Sequence, residues 1–366
     1  MNGYRPLASP HAHAPLTVPR VMGTVLLALL PATLFGLYQF GWPALNLLLV
    51  TVVAGLLTEA LCLRLAGRPL RPALTDGSII LTGVILALTL PPWAPWWIGA
   101  IGGAFAALVG KQVFGGIGQN LFNPAMTGRV ALLIAFPLEM TTWVEPRPLF
   151  SEAAPGFVEG LAITFGGGIA SFGAIDAITS ATVLDQLRTE LGQGGSVAVA
   201  LAGHQTATGL FGTQAGSFGE TSALLLLAGG LYLLARRIIT WHIPVALLGS
   251  VALFAGLLHL FEPSSHAGPL FHLLSGGVIL TAFFVATDPV GAPTSAAGKL
   301  LFGAGCGLLI VIIRTWGGYP EGAAFAVLLM NAATPVIDHY VRPRIYGRGR
   351  RGQPLSSGDD QRGGGP

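Results

Sequence analysis

Ser78-Ile79-Ile80-Leu81-Thr82-Gly83-Val84-Ile85-Leu86, followed by Pro91-Pro92, finds a counterpart in Ser275-Gly276-Gly277-Val278-Ile279-Leu280-Thr281, followed by Asp288-Pro289. Each pattern leads into a glycine-rich helix. The first runs on to Gly115-Gly116-Ile117-Gly118-Gln119-Asn120-Leu121-Phe122-Asn123-Pro124-Ala125, the second to Trp316-Gly317-Gly318-Tyr319-Pro320-Glu321-Gly322. The offsets, 197 residues at Ser78/Ser275 and 202 at Gly115/Gly317, divide the chain into two halves. Matched Gly/Pro clusters in both halves point to discontinuous helices, as in proteins that place a site at mid-membrane. The backbone groups freed at such breaks must be satisfied by protein, water or ligand, never by lipid. Isolated glycines read more simply as positions of close helix packing.

Working outward, about 20 apolar residues make a membrane span. Ten candidates emerge: 21–39, 45–65, 78–90, 96–109, 125–138, 223–234, 243–260, 270–287, 300–313 and 323–337. Five per half is an odd number, which inverts the second half relative to the first. The expected fold is an all-α polytopic membrane protein of about ten transmembrane helices, built as two inverted five-helix repeats with broken helices, plus an extracytoplasmic loop.

Composition agrees. Of 366 residues, 52% are hydrophobic and only 10% charged, against about 25% charged in a soluble domain. The mean hydropathy is +0.68. The 52 glycines and 26 prolines lie within apolar runs, which excludes a disordered polar chain and collagen. Cys62 and Cys306 are too few for a disulfide framework, a cysteine-rich zinc site or an Fe–S cluster held by this chain alone.

With the N-terminus in the cytoplasm, only Arg147, Arg188 and Arg314 fall clearly outside. Arg64, Arg68, Arg71, Lys111, Arg236, Arg237, Lys299 and the tail fall inside, with Arg129 opening its helix from the inner side. This positive-inside pattern predicts both termini cytoplasmic. The expected organisation is a cytoplasmic N-terminus (1–20), a first five-helix repeat (21–141), an extracytoplasmic loop (142–222), a second repeat (223–341) and a disordered basic cytoplasmic tail (342–366). The loop carries net −5 and the tail net +4. Helix ends and the inner membrane surface account for the basic residues, so nucleic acid is not an expected partner, whereas the lipid bilayer is.

Candidate chemistry is sparse. Asp288 ends an apolar run, where a carboxylate caps the next helix, binds a cation or binds a flavin hydroxyl. Glu59 is the most deeply placed carboxylate and the best single candidate for ion or proton handling; Asp76 and Asp338 raise the same question. The histidines show no two-His metal spacing on one helix. Gly166-Gly167-Gly168 lacks the lysine of a nucleotide P-loop. Further on, Asp176-Ala177-Ile178-Thr179-Ser180-Ala181-Thr182 is a small, hydroxyl-rich turn ahead of an amphipathic helix at 183–191, with Thr182 as its N-cap.

Thr179-Ser180-Ala181-Thr182 resembles the (Ser/Thr)-x-Ala-Thr motif that carries covalent flavin in membrane subunits of the Rnf complex and of the sodium-pumping NADH:quinone reductase. The stretches Gly115–Ala125 and Phe283-Phe284-Val285-Ala286-Thr287-Asp288-Pro289 are similar to that family's membrane motifs. The likeness covers nearly all of 21–340, and the length is similar to the family's D-type members in the Rnf complex rather than to the longer B-type members of the reductase. Thr179 stands where the family usually has serine, and Val183 where proline is frequent; the acceptor hydroxyl remains.

The resemblance implies FMN joined through its phosphate to the Thr182 hydroxyl. Thr179 and Asp176 would shape the turn, with Asp176 assisting the attaching enzyme, and Ser180 and Ala181 would complete the cofactor-binding motif. It also implies a second, non-covalent flavin such as riboflavin, to be sought near Asn120, Asn123 and Asp288. The implied setting is a bacterial inner-membrane complex that moves Na⁺ or H⁺. The implied partners are a second covalent-FMN subunit, Fe–S subunits, an NADH-binding subunit and a maturing flavin transferase. No catalytic residue or metal site of its own is expected, since the flavin supplies the redox chemistry. The competing readings are a solute transporter or channel without a redox role, and a structural anchor for a complex. Thr182 in its motif separates the first reading from both.

Overall fold

The computed structural model describes residues 17–167, 182–201, 215–220, 222–319 and 321–342. Among these, every regular element is a helix. In the first half these are α1 (Val18–Leu65), α2 (Leu70–Leu74), α3 (Ser78–Leu88), α4 (Trp96–Ala107) continued by a π-turn (Leu108–Gln112), and α5 (Pro124–Ala135). The connecting region holds α6 (Pro137–Thr141), α7 (Phe157–Phe165), α8 (Val183–Gly192) and α9 (Val197–Ala200). The second half comprises α10 (Ala223–Ala235), α11 (His242–Phe261), α12 (Pro269–Leu274), α13 (Val278–Leu280) continued by a π-turn (Thr281–Val285), α14 (Ala296–Trp316) and α15 (Ala323–Tyr340). Four stretches are long and apolar enough to cross a membrane: Val18–Leu65, Leu70–Leu88, His242–Phe261 and Ala296–Trp316. Pro124–Ala135 and Ala223–Ala235 are shorter apolar helices. The N-terminal segment to residue 16 and the basic tail from 343 lie outside the described residues.

At 48 residues, α1 would measure about 72 Å if straight, far more than a bilayer's hydrocarbon core of about 30 Å. Gly41, with φ +69°, breaks it in two, a conformation open to glycine at little cost. Pro43 has no N–H to give the Gln39 carbonyl. Partners from elsewhere take over the freed carbonyls. Arg147 N donates to Gln39 O at 2.8 Å and Leu149 N to Tyr38 O at 2.7 Å. Trp93 Nε1 donates to Phe40 O at 3.0 Å. The break therefore anchors the connecting region against α1.

The expected single helix over 270–287 is broken. Leu274 ends α12, Gly276 has φ +69°, and α13 starts only at Val278. Hydrophobicity is continuous across this break, so periodicity alone does not reveal it; the Gly276-Gly277 pair does.

Order and packing repeat. A long helix (α1, α11), a short one (α2, α12), a third (α3, α13), a glycine-rich helix (α4, α14) and a final helix (α5, α15) follow one another in both halves, with α10 preceding the second set and α13 starting at Val278, three residues after Ser275. In the first half α1 packs on α4 and α4 on α5; in the second α11 packs on α14 and α14 on α15. Single glycines serve these contacts. A Cβ at Gly103 would sit 2.3 Å from Thr51 O, and one at Gly307 2.5 Å from Leu247 O. Gly103→Val is expected to force α1 and α4 apart and lower stability by about 1–3 kcal/mol, read by thermal unfolding in detergent. Gly249→Ala, whose Cβ meets nothing within 4 Å, serves as the unaffected control.

Candidate functional site

Thr182 is the N-cap of α8, as its position before an amphipathic run predicts. Its Oγ1 accepts from Asp185 N at 3.1 Å and donates to Asp185 Oδ2 at 2.7 Å. A carboxylate thus holds the proton of this hydroxyl. Burial pushes the Asp185 carboxyl above its ordinary value, with the Thr182 hydrogen bonds and Arg188 opposing. Asp176, Thr179, Ser180 and Ala181 lie outside the described residues.

Two cavities flank this N-terminus and share Leu184. One, of about 30 Å³, is lined by Trp143, Thr182, Glu220, Ser275, Gly276 and Glu321. The other, of about 360 Å³, has an apolar wall of Leu184, Leu187 and Leu191 facing Arg188, Arg314 and Trp316. Trp143 Nε1, on the smaller cavity, has no hydrogen-bond partner among the described residues, and neither does Arg314 Nε. The 215–220 loop brings Glu220 here. Gly219 N donates to Leu88 O at 2.7 Å, and Phe218 is fully buried.

Asn120, Asn123 and Asp288 come together on a third cavity, of about 110 Å³, with Phe283, Phe284 and Lys111 in its wall. Asn123 does more than line it. Its Oδ1 caps α5 by accepting from Met126 N at 3.2 Å. Its Nδ2 donates to Val285 O in the second half at 3.3 Å, and its backbone N–H donates to Asn331 Oδ1 at 3.2 Å. Asn331 Nδ2 in turn donates to Gly291 O at 2.9 Å. These two asparagines stitch the halves together across broken backbone. Asp288 does not cap the next helix: α14 begins at Ala296 with Ser295 as its cap. Its Oδ1 instead accepts from Val290 N at 3.3 Å in a turn. Asp338 likewise accepts from Thr294 N at 3.0 Å.

Glu59 is fully buried, but it is not alone. Lys111 Nζ lies 2.6 Å from Glu59 Oε1, and Gln112 Nε2 donates to the same oxygen at 2.7 Å. Lys111 Nζ also donates to Ser78 Oγ at 2.6 Å, and Ser78 Oγ to Asp76 Oδ1 at 2.5 Å. Two carboxylates thus share one buried ammonium through a serine. Ser78→Ala is expected to cost about 1–2 kcal/mol, since it leaves Lys111 short of an acceptor, measurable by thermal unfolding in detergent. In the second half Arg314 Nη2 donates to Ser275 O at 2.8 Å, so the matched serines each receive a buried cation.

The whole chain can now be set beside known proteins. Residues 7–347 match the NQR2, RnfD, RnfE family. The chain belongs to that family. A protein of Halorhodospira halophila (strain DSM 244 / SL1), named as the D component of an ion-translocating oxidoreductase complex, is 56% identical over 96% of this chain and 98% of its own length. Proteins of the same name from Stutzerimonas stutzeri (56% identical, 93% and 95% covered) and Escherichia fergusonii (45%, 94% and 98%) are also similar. Membership over nearly the full length means that membrane helices and connecting region together are the family's unit.

Within this member, sequence reasoning missed the residues of a second charged group near Thr182. Arg129 Nη2 lies 2.6 Å from Glu321 Oε2, and Gly277 N donates to Glu321 Oε1 at 2.5 Å. Arg129 therefore answers to a buried carboxylate rather than to the inner membrane surface, and it drops out of the positive-inside count. The signal was the presence of charges within otherwise apolar segments.

Proposed function

We propose that this chain is the membrane electron-transfer subunit of an ion-translocating oxidoreductase complex of the Rnf type, carrying FMN joined through its phosphate to Thr182. On this reading it is part of a redox-driven translocase that moves Na⁺ or H⁺, and is not catalytic alone. The observation that carries the proposal is the Thr182 hydroxyl: it stands at a helix N-terminus, bonded to Asp185, on the smaller of two cavities that share Leu184. A helix N-terminus favours a phosphate, and Asp185 is placed to take the hydroxyl proton as a phosphodiester forms. The larger cavity suits an aromatic system with one polar edge, offering leucines on one side and Arg188, Arg314 and Trp316 on the other. FMN, when bound, accepts and passes on one or two electrons. Around it the chain's own part is to hold the phosphate at α8, to keep Asp185 and Arg188 alongside, and to wall the site with Trp143 and Trp316.

A second, non-covalent flavin belongs by the same proposal to the cavity of Asn120, Asn123 and Asp288. The repeated order of elements and the matched Ser78 and Ser275 contacts support ten spans in two inverted halves. Arg64, Arg68 and Arg71 support an inner-facing end, which leaves 142–222 and Thr182 on the outer side of the bacterial inner membrane. The partners are those of such a complex: Fe–S, NADH-binding and second FMN subunits, with a flavin transferase for maturation.

The test is an absorbance spectrum of the purified chain, made with an active flavin transferase and stripped of free flavin in denaturant. The flavin bands are expected to stay with the chain and to bleach on reduction. A colourless chain would contradict the proposal.

A further inference from the structure

Four charged residues from four separate segments meet beside Thr182. Arg129 comes from α5, Arg314 from α14, Glu321 from the residues ahead of α15, and Glu220 from the 215–220 loop. Arg129 and Arg314 are 6% and 8% exposed. Both oxygens of Glu321 are occupied, one by Arg129 and the other by the Gly277 amide. Glu220 and Glu321 line the same cavity and converge on Gly277, where a Cβ would meet Glu321 Oε1 at 2.9 Å and Glu220 Oε1 at 3.5 Å. Two carboxyl groups this close in a buried site disfavour a second negative charge, so one of them holds a proton. Glu321 is the ionised member: burial works against its charge, but Arg129, Arg314 and the Gly277 amide outweigh it and hold it below its ordinary value. Glu220 is the protonated one. Burial, then the negative Glu321, push it up to about 8 against the pull of Arg129.

We infer that Glu220 and Glu321 hold one exchangeable proton between them, where the two halves of the chain meet and on the wall of the cavity that Thr182 lines. The exchange makes and breaks a single O–H bond: a proton from water joins the Glu220 carboxylate and leaves the same way, with no electron and no other bond involved. The cavity of about 30 Å³ has room for a water to carry it. The groups facing the pair are Arg129 from α5, Arg314 from α14 and Asp185 from α8; behind them, His272 from α12 faces Arg314 and Arg188 faces Asp185. Two guanidinium groups oppose a metal cation, which needs several oxygens at once; a proton needs one lone pair. Charge added at Thr182 then acts on the pair across the cavity. That last link rests on the flavin proposal, whereas the proton site stands without it.

The experiment is pH-difference infrared spectroscopy of the full-length purified chain in lipid nanodiscs, read in the protonated-carboxyl C=O stretch. The wild type is expected to show a band that disappears with a midpoint near 8. Glu220→Gln should abolish the band while the amide I envelope stays unchanged. Glu220→Asp should keep it with a displaced midpoint, and Thr182→Ala should keep it as well. The inference is overturned if the wild type shows no titrating carboxyl in that range or if the band survives in Glu220→Gln. A midpoint that moves with sodium at constant pH would make this a sodium site and overturn the proton assignment. Should the flavin proposal fail alone, the chain would carry no flavin and the band would still titrate.

Discussion

Thr182→Ala is expected to yield a folded chain with no flavin fluorescence after denaturation, where the parent made beside the same transferase gives a fluorescent band. The loss should be complete, because the phosphodiester needs a hydroxyl oxygen and alanine has none. The fold should survive. The substitution removes one N-cap hydrogen bond, which costs about 1 kcal/mol. The buried faces of Leu184 and Leu187, which hold α8 in place, are untouched. Thr182→Ser keeps the hydroxyl and the cap, and should keep the fluorescence. A fluorescent Thr182→Ala band would move the attachment to another hydroxyl, Thr179 or Ser180 first.

The largest expected change in stability comes from Arg129→Ala. It leaves Glu321 buried with its main counter-charge gone, and breaking a buried ion pair from one side costs about 3–5 kcal/mol. Thermal unfolding in detergent should show this as a large fall in midpoint. Adding Glu321→Gln to Arg129→Ala should recover much of the loss, since the stranded charge is then removed along with its partner. A double variant no more stable than the single one would mean that Arg129 acts through packing instead.

The all-helical, membrane-spanning character was legible because apolar runs and glycine-proline punctuation are local signals, whereas of the ten expected spans the structure has four stretches long enough to cross and two shorter apolar helices. Glycine and proline near residue 41 separate two spans in the sequence, and Gly41 breaks α1 in the structure. Thr182 as a cap was legible for the same reason: a hydroxyl three residues before Asp185 needs nothing distant. The run at 270–287 was read as one helix because hydrophobicity does not register the positive φ of Gly276. The charged pairs were out of reach. Arg129 and Glu321 are 192 residues apart, and Glu59 finds Gln112 and Lys111 only once α1 lies against the end of α4. The place of Glu59 inside an apolar segment marked it as unusual, while the partners of all these groups are a property of the packed fold. Asn123, proposed near a flavin, turned out to cap α5 and to bond across the seam, a structural duty that no spacing announced.

The most direct test of the central claim is peptide mass mapping of the chain isolated from membranes of cells with an active flavin transferase. The account predicts that the peptide containing Thr182 is heavier by one FMN less one water, with fragment ions placing the group on Thr182. An unmodified Thr182 peptide from such cells, or the same group on a different residue, would contradict it.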